Sequence, residues 1–202
     1  MNYPQFFDNV KPIQLQDKLA MTLGAFYDGK YEITYKEVVK SAGHSCPTVA
    51  GAYLMTQSAL DALYGDNTPQ RGEIKVSFSE TQEEGVAGVI GMVVSMITGA
   101  TTDNGFKGLS GKFARTNLMA FDQKISSSAR FTRTDTNESV DVTYDPSFAS
   151  VNPRQMELMK KMMQGISSKD ELKEFGLLWQ QRVENIMLDT SNRAITLQKV
   201  TI

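Results

Sequence analysis

One histidine and one cysteine occur among 202 residues, and they stand two positions apart in Ala42-Gly43-His44-Ser45-Cys46-Pro47-Thr48. An imidazole and a soft thiolate make half of a zinc-type or other transition-metal site. Pro47 suits the first position of a helix, where its missing N–H costs nothing. The amphipathic run from Val49 through Leu54, Leu60 and Leu63 to Tyr64-Gly65 gives that helix a body. Cys46 then sits at the helix N-terminus, where free N–H groups and the dipole favour an anionic sulfur. His44 lies just upstream and can aim its ring at the same point. Taken singly, each has a blander explanation: a lone Cys is usually a small buried hydrophobe, and a lone His a hydrogen-bonded structural residue. Their coincidence at a Pro-started helix tips the reading towards function.

A metal held by these two alone would be weak, because catalytic zinc sites use three protein ligands and a water. With no other His or Cys in the chain, the third ligand is a carboxylate, a backbone carbonyl or a residue of another protomer. The acidic turn Glu80-Thr81-Gln82-Glu83-Glu84 offers candidates, Glu84 foremost, although a solvated loop explains that turn more simply. A metal-free thiol, with Cys46 as nucleophile and His44 as its base, ranks last, since sequence neighbours make an awkward pair.

A second charge feature lies between Gly105 and Arg133. Six basic residues (Lys107, Lys112, Arg115, Lys124, Arg130 and Arg133) meet a single acid, Asp122, in a chain of net charge −2. If Lys112, Arg115 and Arg130 share a sheet face near the notch, they would hold a small anionic ligand by charge-assisted hydrogen bonds. An exposed face balanced by acidic helices accounts for them about as well. The acidic chain and slight aromatic interleaving argue against nucleic acid. Gly105 to Lys112 lacks the Gly-x4-Gly-Lys-Ser/Thr spacing of a phosphate loop.

The surrounding elements follow from periodicity and punctuation. Ile13, Leu15, Leu19, Leu23 and Phe26 read as an amphipathic helix over 12–27. Thr34-Tyr35-Lys36-Glu37 matches a capping box opening a short helix that Gly43 stops. Gly72 to Ser79 alternates as a strand. Gly85, Gly88 and Gly91 line one side of an apolar helix, each costing about 1 kcal/mol against alanine and so implying close packing or function. Phe113 to Phe121, Ala129 to Arg133 and Ser139 to Tyr144 read as further strands. Asn152-Pro153 starts a helix whose methionines, Met156, Met159, Met162 and Met163, suggest core packing or else an interface between protomers. Ser168-Lys169-Asp170-Glu171 opens another helix through Trp179 to Ile186. The tail, Ala194 to Ile202, adds a short strand. Helices and strands are segregated, which predicts an α+β fold: an antiparallel or mixed sheet packed with helices, with a C-terminal helical appendage. The expected division is a core domain over 1–150 and a helical extension over 151–202.

Composition narrows the setting. At 41% hydrophobic and 22% charged, the chain is that of an ordinary soluble protein. A single cysteine excludes an intrachain disulfide and fits a reducing compartment. No basic stretch followed by an apolar one opens the chain, and the uncharged run Gly85 to Ala100 is too short to span a bilayer. A cytoplasmic protein without a membrane partner is expected.

Gly43-His44-Ser45-Cys46-Pro47 resembles the signature of the FmdE family, associated with formylmethanofuran dehydrogenase, which reads Gly-His-x-Cys-Pro before a helix. The strand near 73–79, the acidic turn, Thr98-Gly99-Ala100-Thr101 and Gly111-Lys112 resemble later landmarks in the same order, over roughly residues 35 to 145. The resemblance implies an α+β core that dimerises, with a metal held in a cleft by the first motif's His and Cys, here His44 and Cys46. This chain departs from the pattern at Ala100, where the family usually carries a cysteine, and in having helices where many members carry a C-terminal zinc finger. Redox chemistry needing a second thiol is therefore not implied. Two function classes follow. One is an enzyme or metal-handling protein with zinc as the first choice of metal, His44 and Cys46 at its centre, and an open position for a small anionic ligand. The other is a non-catalytic homodimeric accessory or cofactor-carrier module.

Overall fold

The computed structural model describes residues 2–200. After a 3-10 helix at Gln5–Asn9 come β1 (Ile13–Gln16), α1 (Lys18–Thr22), β2 (Lys30–Ile33), α2 (Tyr35–Ala42) and α3 (Pro47–Tyr64). Then follow β3 (Ile74–Phe78), α4 (Ala87–Thr98), β4 (Met119–Ala120), β5 (Ala129–Arg133) and β6 (Ser139–Tyr144). The chain closes with α5 (Pro153–Met163), α6 (Lys169–Met187) and β7 (Ile195–Val200). β1 and β2 form a small antiparallel sheet, while the main sheet runs β4-β3-β5-β6-β7. Among the strand pairs of the main sheet in the described residues, only β3–β4 is parallel. The fold is α+β with a mixed sheet.

The register puts Val76, Phe131 and Val140 abreast on one face, all buried, with Lys75, Thr132 and Ser139 on the other. α3 lies across that apolar face, packed against β6 and β7 and flanked by α4 and α6. Val49, Ala50, Ala52, Tyr53, Met55, Ala59 and Leu60 are all buried, while a narrow polar edge with Gln57 and Asp61 stays at the surface. Burial of this kind is the main stabilising term in folding, and it fixes α3 as the rigid element from which the His-x-Cys turn hangs. Gly51 lets the Tyr144 ring lie directly on the helix: a Cβ there would come within 2.8 Å of Cδ1 and closer still to Cε1 and Cζ.

Three sequence expectations need correction. Residues 12–27 are not one helix. Ile13 and Leu15 alternate with exposed positions as a strand, and Asp17 caps only the five-residue α1. The Asp17 carboxylate is drawn inward by Arg71 Nη1 (3.0 Å) and Arg115 Nη2 (2.7 Å), so the chain cannot continue helically through it. Phe113 to Phe121 is mostly a loop. Phe113 and Asn117 adopt positive φ, which breaks a strand, and only Met119–Ala120 pair with β3. The α5 methionines are not core either: Met156, Met162 and Met163 are exposed and α5 packs on α6. The tail strand is present as β7, and its expected continuation over 201–202 lies outside the described residues.

Candidate functional site

The turn between α2 and α3 is built by local chemistry at both ends. Thr34 and Glu37 close the capping box of α2, and Gly43 ends it in the left-handed region at φ 75°. Cys46 is the N-cap of α3, with Pro47 beginning the first turn, and its sulfur accepts the Val49 N–H at 3.4 Å. His44 is exposed, and its Nδ1 lies 3.0 Å from the Ala42 carbonyl. A carbonyl only accepts, so Nδ1 carries the proton and the lone pair is left on Nε2. Cys46 itself is buried, with 9% of its surface exposed.

Ser45, between the two, is held from three directions. Its carbonyl accepts Trp179 Nε1 at 2.9 Å and Gln180 Nε2 at 3.1 Å, both from α6, and its hydroxyl lies 3.0 Å from the Tyr35 hydroxyl. Tyr144 adds a fourth restraint by donating from its hydroxyl to the Pro47 carbonyl at 2.6 Å. Burial lifts the Tyr35 phenol above its ordinary value; the Ser45 contact works against this and the Cys46 charge adds to it. The Tyr144 phenol is likewise raised by burial, eased by Arg182 and raised further by Cys46. Both phenols therefore sit within electrostatic reach of the cysteine and stay protonated, Tyr144 as the donor to Pro47. Tyr144 also lines a hollow of about 140 Å³ with Phe78, Glu80, Ile90 and Ser128 among its walls.

The remaining expected site residues lie elsewhere. Glu84 is exposed, and its carboxylate accepts the Thr81 N–H at 3.3 Å, closing its own turn. Among the described residues, no cluster of three or more His, Cys, Asp or Glu could hold a metal. Glu84 is thus not brought to His44 and Cys46 as a third ligand within one chain. Glu80 is the member of that turn that reaches the hollow. The three cations do not share a ligand. Arg115 is 6% exposed and paired with Asp17, Arg130 binds both carboxylate oxygens of Asp141 (2.6 and 2.9 Å), and Lys112 is exposed on a loop. Each arginine is spent on an internal carboxylate.

Sequence reasoning missed the residues that frame the turn: Tyr35, Tyr144, Trp179 and Gln180. Trp179 is 134 positions from Ser45, and no local pattern marks it as a partner. Asp17 and Arg71 were also missed. Arg71 reaches the last carbonyls of α4, with Nε 3.1 Å from Ile97 O and Nη2 3.0 Å from Met96 O, while stacking over Tyr31.

No helix among the described residues is long and apolar enough to cross a membrane. Among curated proteins, none matches the chain. The family described as FmdE, molybdenum formylmethanofuran dehydrogenase operon, matches residues 42–194, which contain the His-x-Cys turn, α3, the whole main-sheet run from β3 to β6, and α6. With the greater part of its length matched in this way, the chain belongs to the FmdE family.

Proposed function

We propose that this FmdE-family protein binds one transition-metal ion, zinc by preference, through His44 Nε2 and the Cys46 thiolate. The observation that carries the reading is the His44 Nδ1 contact with the Ala42 carbonyl, which holds the tautomer that presents Nε2. Backbone carbonyls play this orienting role for metal-ligating histidines generally. The donor set, one imidazole and one sulfur, fits a borderline-soft divalent ion. The two donors fill half of a tetrahedral shell, so the other positions go to groups from outside this chain. Such a half-site suits a metal that is shared or handed on, or one that polarises a bound ligand as a Lewis acid.

The chain's own residues do the positioning. Trp179, Gln180 and Tyr35 hold Ser45 between the two ligands, and Tyr144 pins the first turn of α3. Among the described residues, Glu80 is the one charged wall residue of the hollow beside Tyr144. Its charge favours a neutral or cationic ligand over the small anion expected from sequence. The family is associated with the formylmethanofuran dehydrogenase operon, and a role as an accessory or carrier protein in such a setting accords with the half-site.

Elemental analysis of protein purified without added metal tests this. About one equivalent is expected in the wild type, with loss in His44→Ala and in Cys46→Ser. Cobalt loading should give sulfur-to-cobalt charge-transfer absorption that disappears in Cys46→Ser. Full metal retention in His44→Ala would remove the site.

A further inference from the structure

Between α4 and β4 the chain closes a loop on itself. The Thr101 N–H bonds Arg115 O at 2.9 Å, and the Arg115 N–H bonds Phe106 O at 2.8 Å. Asp17 holds Arg115 from inside, so the neck of the loop is anchored in the core. Farther out, Leu109 and Lys112 exchange both backbone hydrogen bonds, at 2.8 and 2.9 Å. Ser110 and Gly111 between them adopt positive φ (48° and 77°), as a two-residue hairpin turn requires. Lys107 and Lys112 are carried on this one small projection. Both are exposed, and neither makes an ion pair among the described residues. Asp103 is the one acid of the loop and accepts the Thr102 hydroxyl at 3.3 Å. The loop stays net positive even with Arg115 set against Asp17.

At the foot of this loop lies a hollow of about 250 Å³. Thr102 and Asn104 of the loop, with Gln82 and Ser95, form its polar wall, and Met92, Met119 and Phe121 its apolar one. Among the described residues, no charged side chain lines it. It is distinct from the hollow beside Tyr144. Phe121 lines the one and Phe78 the other, and the two rings stack between them at 4.9 Å and 19°. The polar wall is open to a ligand. The Gln82 amide and the Ser95 hydroxyl make no hydrogen bond among the described residues, and Asn104 uses only Oδ1, which accepts the Thr102 hydroxyl at 3.3 Å.

We propose that the hollow and the lysine turn together form an adenine-nucleotide site, with the base in the hollow and the phosphate on Lys107 and Lys112. A cavity of about 150 Å³ takes one benzene ring, so the larger volume here suits a two-ring heterocycle. Walls without charge suit a neutral ring, and two thioethers beside an aromatic side chain grip its faces. A carboxamide such as that of Gln82 or Asn104 sets a donor beside an acceptor, the complement of the adenine edge. Guanine shows two acceptors there, which cations read, and this wall has none. Lys107 stands three residues from Asn104, at most about 11 Å along the chain. A ribose and a flexible lysine stem together bridge that distance, and the ammonium groups meet the phosphate as charge-assisted donors. The inference is independent of the metal reading, since no residue of the His-x-Cys turn takes part.

Equilibrium dialysis of the full chain against AMP, adenosine, GMP and inorganic phosphate tests the site. The positions to be changed, Gln82, Asn104, Lys107 and Lys112, are all exposed, and circular dichroism confirms that each variant folds. AMP should bind about 10-fold more tightly than adenosine at low salt, and the difference should shrink as salt screens the lysines. Lys107→Ala with Lys112→Ala should bring AMP down to the affinity of adenosine while leaving adenosine unchanged. Gln82→Ala with Asn104→Ala should weaken AMP and adenosine alike by about 10-fold. GMP and phosphate alone should each bind at least ~10-fold more weakly than AMP. NAD held as tightly as AMP would support the site with the adenylate half of a dinucleotide as its occupant, and NAD excluded would support it with a free mononucleotide. No AMP retained up to millimolar concentration overturns the proposal. So does AMP binding indifferent to either double variant, or GMP or phosphate bound as tightly as AMP.

Discussion

Replacing Gly51 by alanine tests the packing that seats the His-x-Cys turn, because two opposing effects of known size meet there. In a helix interior, glycine to alanine is worth about 1 kcal/mol in favour of the folded state. Against this, the new methyl would sit 2.8 Å from Tyr144 Cδ1 and nearer to Cε1 and Cζ. The ring cannot swing aside freely, since its hydroxyl donates to Pro47 O at 2.6 Å. Overpacking of a well-filled core costs about 1–3 kcal/mol, and losing the hydrogen bond about 0.5–1.5 kcal/mol. The balance is a destabilisation of about 0.5–3.5 kcal/mol by Gly51→Ala. In a Tyr144→Ala background the obstacle is gone, and the same substitution should stabilise by about the propensity difference. Urea unfolding of the four proteins at one fixed concentration, followed by the helical circular dichroism signal, gives the coupling as a double-mutant cycle. The prediction is a change of sign. If Gly51→Ala has the same sign and size in both backgrounds, Tyr144 does not occupy the space that glycine leaves, and the account of how α3 is pinned fails.

Asp17→Asn should cost about 3–5 kcal/mol, because it strips a 6% exposed Arg115 of its counter-charge. Burial alone would raise the Asp17 carboxyl, but the Ala20 N–H, Arg71 and Arg115 together hold it below the ordinary carboxylate value. A depressed acid contributes stability that is fully present above its unfolded value and lost as pH falls through its folded value. The stability gap between wild type and Asp17→Asn should therefore narrow below about pH 4, and a gap that stays constant into acid would count against the ion cluster. Trp179, the one tryptophan, donates to the carbonyl between the two candidate ligands. Its emission should shift on zinc addition, and Trp179→Phe should weaken zinc binding about 10-fold, in line with other orienting partners of metal ligands. Unchanged emission with unchanged affinity would detach α6 from the site.

The elements legible in the sequence are those decided by neighbours a few residues apart. The Thr34 and Ser168 capping boxes, the left-handed stop at Gly43, the Cys46-Pro47 start of α3 and the alternation of β3 are all present as read. Each depends on a hydrogen bond or a periodicity contained within one or two turns of chain, so composition in a short window suffices. What the sequence could not decide were the pairings between distant segments. Asp17 ends a strand, rather than riding mid-helix, because Arg71 and Arg115 pull it inward from 54 and 98 positions away. Arg115 and Arg130 look like a free basic surface until the carboxylates that neutralise them are placed beside them. The α5 methionines have helical spacing, but spacing alone does not say whether another layer covers them. By itself the sequence determined that His44 and Cys46 share one tight turn at a helix start. Only the tertiary structure supplied the clamp from α6 and Tyr144, because a carbonyl such as that of Ser45 accepts from whatever donor the fold brings within about 3 Å, and the fold is a property of the whole chain.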